Sequence, residues 1–335
     1  MVAWQTAGVV LAVLMLVSAC AGLQHRQAAT PAKHEATGQA VTPPPSPAAV
    51  IGAPGHYLVG QRQVIFVEPG HAGRTDPYLG PRTLLTGIWY PLAQRSGEPA
   101  TGPFPLIVFA PGFMQCGARY SDLLRVWASA GYVVAAVNFP RTDCHVGAAA
   151  YEPDLVNQPA DMSYALSRLL ALSAQAHGVF SGLLNGHEIA AAGQSDGGDT
   201  VAALAANACC TDHRLQAVAV LSGAEWPPMP GQYFRHRAPP MMFVQGSADT
   251  INPPWTSLQL YRADGSAARY YLDLFGADHT SPYIGTNPVE QLAARVTLAF
   301  FNRYVLGQAG ALGTMTRDGN VSGTAALVSG GQLPT

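Results

Sequence analysis

"EIAAAGQSDGGDT", Glu188–Thr200, decides how the rest of the chain is read. A run of small apolar residues stops at Gly193-Gln194-Ser195-Asp196-Gly197, and "DTVAALAANA" follows with helical character. The stretch predicts a buried strand, one very sharp turn and a helix from Asp199 to Ala208. A serine at the apex of such a turn is held in strained backbone and projects its hydroxyl above a sheet. Gly193 and Gly197 follow from the same geometry, because strand end and helix start pass too close for side chains. The N-terminus of the helix adds backbone N–H groups and partial positive charge behind the hydroxyl. The competing reading is a glycine-rich turn without chemistry.

A serine hydroxyl becomes a useful nucleophile only when a base takes its proton. On this strand–turn–helix arrangement the partners follow in the order serine, acid, histidine. Three histidines lie downstream: His213, His236 and His279. His279, in "FGADHTSPY", comes just after a predicted strand, where a short loop can hang it over the sheet. His213 and His236 fall at a helix end and in a Pro/Arg-rich connection. Among the acids, Asp249 in "MMFVQGSADTINPP" sits at a strand end. Asp199, Asp212, Asp264 and Asp273 fit less well, and Asp278 is the rival, beside His279 but expected to point away from it. An oxyanion needs two donors. The backbone N–H of Asp196 is one; the other comes from Phe113, or else Met114, after "LIVFAPG".

Outward from this centre, strands and helices alternate. "RQVIFVE" (Arg62–Glu68) and "RTLLTGIWYPL" (Arg82–Leu92) read as strands, and "FPLIVFAPG" (Phe104–Gly112) as a strand buried on both faces. "YSDLLRVWASAG" has helical spacing and a glycine stop, followed by the strand "YVVAAVNFP". A helix over 159–174 precedes the decisive stretch. Strands "LQAVAVLSG", "PMMFVQGSAD" and "RYYLDLFGAD" follow it, and a helix over 288–305 closes the pattern. Such alternation implies an α/β fold, a mostly parallel central sheet with helices on both faces. Fewer than twenty residues separate Ser222 from Pro240, so no large cap domain is expected there.

The chain has 335 residues and a net charge of −2, which gives no electrostatic reason to bind nucleic acid. Lys33 is the only lysine, which excludes a catalytic or phosphate-loop lysine later in the chain. "VVLAVLMLVSAC" (Val9–Cys20) is apolar but too short to span a bilayer. Its end, Val17-Ser18-Ala19-Cys20, resembles the lipobox of bacterial lipoproteins. Residues 1–20 are therefore expected to be a lipoprotein signal peptide. The expected product is exported, anchored to the membrane through lipid on Cys20, and faces the extracytoplasmic side. An ordinary secretory signal is the alternative. Residues 21–52, with "VTPPPSPAA", read as a disordered Pro/Ala-rich spacer. Residues 53–307 are the expected catalytic domain, and 308–335, rich in Gly, Ser and Thr, a flexible tail. Export makes disulfides expected for Cys116, Cys144, Cys209 and Cys210, with three pairings possible.

Four blocks carry a resemblance to the alpha/beta-hydrolase superfamily: "IVFAPGF" with "WASAGYVVAAVN", "AAAGQSDGG", "ADTINPP", and "GADHTSPY" with "ARVTLAFFNRYV". The branch looks like cutinase-like polyester hydrolases with platelet-activating-factor acetylhydrolase and dienelactone-hydrolase relatives. The blocks stand in family order from Phe104 to Val305. The resemblance implies Ser195 as nucleophile, Asp249 as acid, His279 as base, and Phe113 and Asp196 as oxyanion donors, without metal or cofactor. Gln194 and Asp196 depart from the branch, where His and Met are common. The superfamily's strand order sets the strands ending near Ala110 and Phe139 side by side, which implies a Cys116–Cys144 bridge. Cys209 and Cys210 are then a vicinal bridge or two thiols. The expected activity is serine carboxylic-ester hydrolysis through an acyl-enzyme, on lipid-like, polyester or small-molecule esters. Trp226, Trp255 and Tyr283 are candidates for the acyl groove, with simple packing as their other reading. The alternatives are lactone, amide or peptide cleavage on the same fold, or a non-catalytic binding lipoprotein.

Overall fold

The computed structural model describes residues 54–69, 80–93 and 97–333. The expected signal peptide over 1–20 with Cys20, and the expected spacer over 21–52, lie outside the described residues. The elements run β1 (Leu58–Glu68), β2 (Arg82–Leu92), β3 (Phe104–Ala110), α1 (Ser121–Ser129), β4 (Val133–Asn138), α2 (Gln158–Ser173), β5 (Leu184–Gln194) and α3 (Asp196–Ala206). Then come β6 (Ala217–Leu221), β7 (Met241–Gly246), α4 (Pro254–Ala263), β8 (Arg269–Leu274), α5 (Pro288–Tyr304), α6 (Ala311–Asp318) and β9 (Ala325–Ser329).

All strands join one nine-stranded sheet in the order β1-β2-β4-β3-β5-β6-β7-β8-β9. The centre, from β4 to β8, is parallel. Antiparallel pairs β1–β2, β2–β4 and β8–β9 finish the two sides. This is the expected α/β fold. Every residue of β3, β4, β6 and β7 is buried, as strands covered on both faces require. Side chains alternate between the two cores. Ile107 and Phe109 of β3 pack with Trp127 of α1 and Phe301 of α5 on one face. Leu106 and Val108 pack with Leu166 of α2, Val201 of α3 and Leu260 of α4 on the other. β5, flanked by β3 and β6, carries only alanines at 190–192 before the turn, so α3 can lie close against the sheet.

Arg82, at the start of β2, is buried and bound by two buried carboxylates. Its Nη1 and Nη2 donate to Asp154 at 2.8 and 2.7 Å, and its Nε and Nη2 donate to Asp161 of α2 at 2.9 and 2.6 Å. This trio pins the antiparallel flank of the sheet to the helix layer.

The C-terminal segment corrects the expectation of a flexible tail. α6 packs on α5 with Met315 fully buried, and β9 pairs antiparallel with β8 from Tyr270↔Ser329 to Leu274↔Ala325. Composition suggested fraying because "AALVS" is short and lies among Gly, Ser and Thr. Its stabilisation comes from a distant partner, the open edge of β8, which no local pattern announces. Among the described residues no helix is long and apolar enough to cross a membrane.

Candidate active site

Three strand ends converge above the sheet, and each carries a non-glycine residue with positive φ: Met114 (φ 55°) after β3, Ser195 (φ 57°) after β5 and Ser222 (φ 48°) after β6. Such backbone persists only where its surroundings enforce it. At Ser195 they do: its N–H donates to Leu221 O at 2.9 Å, and its carbonyl accepts from Asp199 N at 3.0 Å. The glycines are compulsory. A Cβ on Gly193 would lie 2.1 Å from Gly197 O, and one on Gly197 would lie 1.9 Å from Ala110 O, backbone atoms in both cases.

The turn brings together the side chains nominated from the sequence. Ser195 Oγ lies 2.9 Å from His279 Nε2, and His279 Nδ1 lies 2.8 Å from Asp249 Oδ2. His279 hangs from the loop after β8, and Asp249 from the loop after β7. Asp249 is 3 % exposed. Burial acts to raise its pKa, but hydrogen bonds from His279 and from the amides of Asn252 and Ile251 hold the carboxyl below the ordinary carboxylate range. Gln245 Nε2 adds a donor to Oδ2 at 3.0 Å. The rival Asp278 is exposed and turned away; its Oδ1 accepts from Thr280 N and Ser281 N and shapes the loop that carries His279. A hydroxyl, an imidazole and a buried carboxylate in one line can pass a proton off the hydroxyl while the acid steadies the charged ring.

The backbone donors sort themselves by use. Met114 N–H donates to Thr142 O at 2.7 Å, whereas among the described residues Phe113 N–H has no partner. Asp196 opens α3, so its N–H is a first-turn donor with no carbonyl of the helix to meet. The loop holding Phe113 is stapled to the loop after β4 by the Cys116–Cys144 disulfide, with Cα atoms 5.2 Å apart. Cys209 and Cys210 form a vicinal bridge. Cys116, Cys144 and His145 are the one group of candidate metal ligands among the described residues, and with the sulfurs joined only His145 remains to ligate.

The carboxyl of Asp196 does not turn out to water; the residue is 7 % exposed and its Oδ2 has no hydrogen-bond partner. Burial first, then nearby Glu152, pushes its pKa up to about 7, with His279 opposing. Asp199, one turn on, is also pushed well up by burial, while its Oδ1 accepts from Ala224 N at 2.5 Å.

Trp226 and Trp255 line a cavity of about 360 Å³ together with Glu225, Met229, Tyr233 and Gln259. Trp255 is 64 % exposed. Tyr283 does not line it. Its ring is fully buried, its hydroxyl donates to Val244 O at 2.9 Å and lies 3.0 Å from Ser222 Oγ, and it is a core post under the site. An aromatic residue four positions after His279 gave no sign of which way it faces. Two residues that sequence reasoning did not credit stand inside the site. Gln194 Nε2 reaches His279, and Tyr120 Oη links Gln194 to Gly112. The only signal for them was a polar residue at Gln194, where the branch commonly has His.

The family described as PETase, PET hydrolase-like, matches residues 34–309. The chain belongs to this family, an alpha/beta-hydrolase family related to cutinase-like polyester hydrolases, and is thereby a hydrolase of the esterase type. No curated protein matches the chain.

Proposed function

We propose that this member of the PET hydrolase-like family is a serine carboxylic-ester hydrolase that works through an acyl-enzyme. The observation that carries the reading is the line from Ser195 Oγ through His279 to Asp249, at 2.9 and 2.8 Å. Ser195 attacks the ester carbonyl while His279 Nε2 takes its proton. The backbone N–H groups of Phe113 and Asp196 hold the oxyanion, each worth roughly 10²–10³ in turnover. Asp249 keeps the imidazole tautomer and orientation and stabilises the charged ring. His279 then returns the proton to the leaving alcohol, and water, activated by the same base, releases the acid. The cavity lined by Trp226 and Trp255 offers aromatic surface suited to an apolar or aromatic part of an ester, in keeping with lipid-like, polyester or small-molecule esters.

In the same reading the chain is exported and anchored through Cys20, which the lipobox-like Val17-Ser18-Ala19-Cys20 supports. Labelling with a radioactive fatty acid, lost in Cys20→Ala, tests the anchor. For the chemistry, a fluorophosphonate probe is expected to label the protein. Ser195→Ala is expected to abolish both labelling and hydrolysis of a short p-nitrophenyl ester. Labelling that survives the substitution rejects the proposal.

A further inference from the structure

Gln194 stands between the two halves of the site, and its hydrogen bonds have only one possible direction. The peptide N–H of Gly112 can only donate, and Tyr120 Oη accepts it at 3.1 Å. The hydroxyl proton of Tyr120 therefore goes on to Gln194 Oε1 at 2.8 Å. That fixes the amide: its nitrogen faces His279, donating to the main-chain carbonyl at 3.0 Å and to Nε2 of the ring at 3.2 Å. Tyr120 is fully buried and Gln194 is 2 % exposed, so water cannot stand in for a missing partner. The contact is also steric. A Cβ on Gly112, next to the oxyanion donor Phe113, would lie 2.9 Å from Gln194 Oε1.

From this geometry we infer that Gln194, backed by Tyr120, is a positioning residue that ties the oxyanion turn to the loop carrying the base and keeps the transferred proton facing the ester. The inference rests on the serine-hydrolase reading above. In the resting site Nε2 accepts from both Ser195 Oγ and the Gln194 amide. Once Nε2 has taken the serine proton, the amide N–H has nothing to offer it, because it cannot accept. The new N–H is left with the reacting oxygens on the substrate side, and the proton passes to the leaving alcohol rather than into the protein. No electron pair or atom moves through Gln194 or Tyr120; they hold the two sides in register.

The test uses the intact protein with p-nitrophenyl acetate. Gln194→Met keeps chain length and removes the hydrogen bonds. It is expected to lower kcat at least tenfold with KM changed less than twofold. Tyr120→Phe is expected to show the same split with a smaller loss, and the double variant to be no slower than Gln194→Met alone, since both act through one chain. Wild-type kcat in Gln194→Met, a loss carried by KM, or multiplying effects in the double variant overturns the inference. If Gln194→Met does not fold, Tyr120→Phe, which removes one oxygen, decides on the same criteria. A second readout is independent of turnover. The low-field Nδ1–H proton resonance of His279, identified by its loss in His279→Ala, is expected to exchange faster in Gln194→Met or, if that does not fold, in Tyr120→Phe. Unchanged exchange overturns the inference. A wild-type protein that cleaves no ester defeats the hydrolase reading instead, and the resonance still decides the positioning role.

Discussion

Replacing Asp196 by Asn is expected to stabilise the protein relative to the wild type increasingly as the pH rises, by an amount the structure allows to be worked out. The carboxyl is buried, its Oδ2 lacks a hydrogen-bond partner, and its pKa is raised from 3.8 to about 7. Folding therefore favours the protonated form. The contribution of this group is fully present below the unfolded pKa near 3.8 and is lost as pH rises through the folded value near 7. A shift of roughly three units at about 1.4 kcal/mol each gives about 4 kcal/mol as an order of magnitude. Asn carries no charge and escapes this loss. Its buried amide adds an offset independent of pH, so the quantity to read is the change in the difference between variant and wild type. Other raised acids, such as Asp199 and Glu290, tilt both proteins in the same sense, and their common part cancels. Urea unfolding from pH 4 to pH 8, extrapolated to water, supplies the measurement. The variant is expected to gain on the wild type by several kcal/mol between pH 4 and pH 7 and to level off above. A difference that stays flat within about 0.5 kcal/mol, or that runs the other way, refutes the reasoning.

Asp249→Asn leaves the shape of the site but removes the acceptor that fixes the tautomer of His279; turnover of a p-nitrophenyl ester is expected to fall about 10⁴-fold, and a loss below tenfold rejects the role. Arg82→Met removes the guanidinium that neutralises the buried carboxylates of Asp154 and Asp161 and is expected to cost about 3–5 kcal/mol in urea unfolding. Exchanging all three for apolar residues is expected to recover most of that loss, and no recovery would mean that the trio is not the cause. Cys116→Ser with Cys144→Ser opens a bridge with a sequence separation of 28 and is expected to cost about 3.5 kcal/mol on chain-entropy grounds. Because that bridge also holds the loop of Phe113, kcat is expected to fall as well; an unchanged kcat shows that the Met114–Thr142 hydrogen bond holds the loop alone.

What the sequence revealed and what it hid divide along a physical line. The turn at Ser195 was legible because its constraint is local. Backbone atoms within about 2 Å of a would-be Cβ on Gly193 and Gly197 leave glycine as the residue that fits. Asp249 and His279 were legible because strand ends are marked by the change from apolar runs to loop residues. For Tyr283 the sequence left groove and packing both open because a side chain's facing direction is set by tertiary packing, here the hydroxyl's bond to Val244 O. The Gln194–Tyr120 link joins residues 74 apart, and the Arg82 trio spans 72 and 79 positions. Neither has a spacing rule that a single sequence can display. β9 was hidden for the same reason, since its partner is chosen by the sheet and not by its own composition.

That last strand sets a limit on how the chain can be shortened. The composition reads 308–335 as a flexible tail and the family match ends at 309, yet a chain trimmed there loses the hydrogen-bonding neighbour of β8 from Tyr270 to Leu274. The row of bare amides and carbonyls left behind would be a template for any stray extended peptide, including another molecule of the same protein. It would also run directly into the loop that carries His279, so self-association and misplacement of the imidazole would begin at one seam.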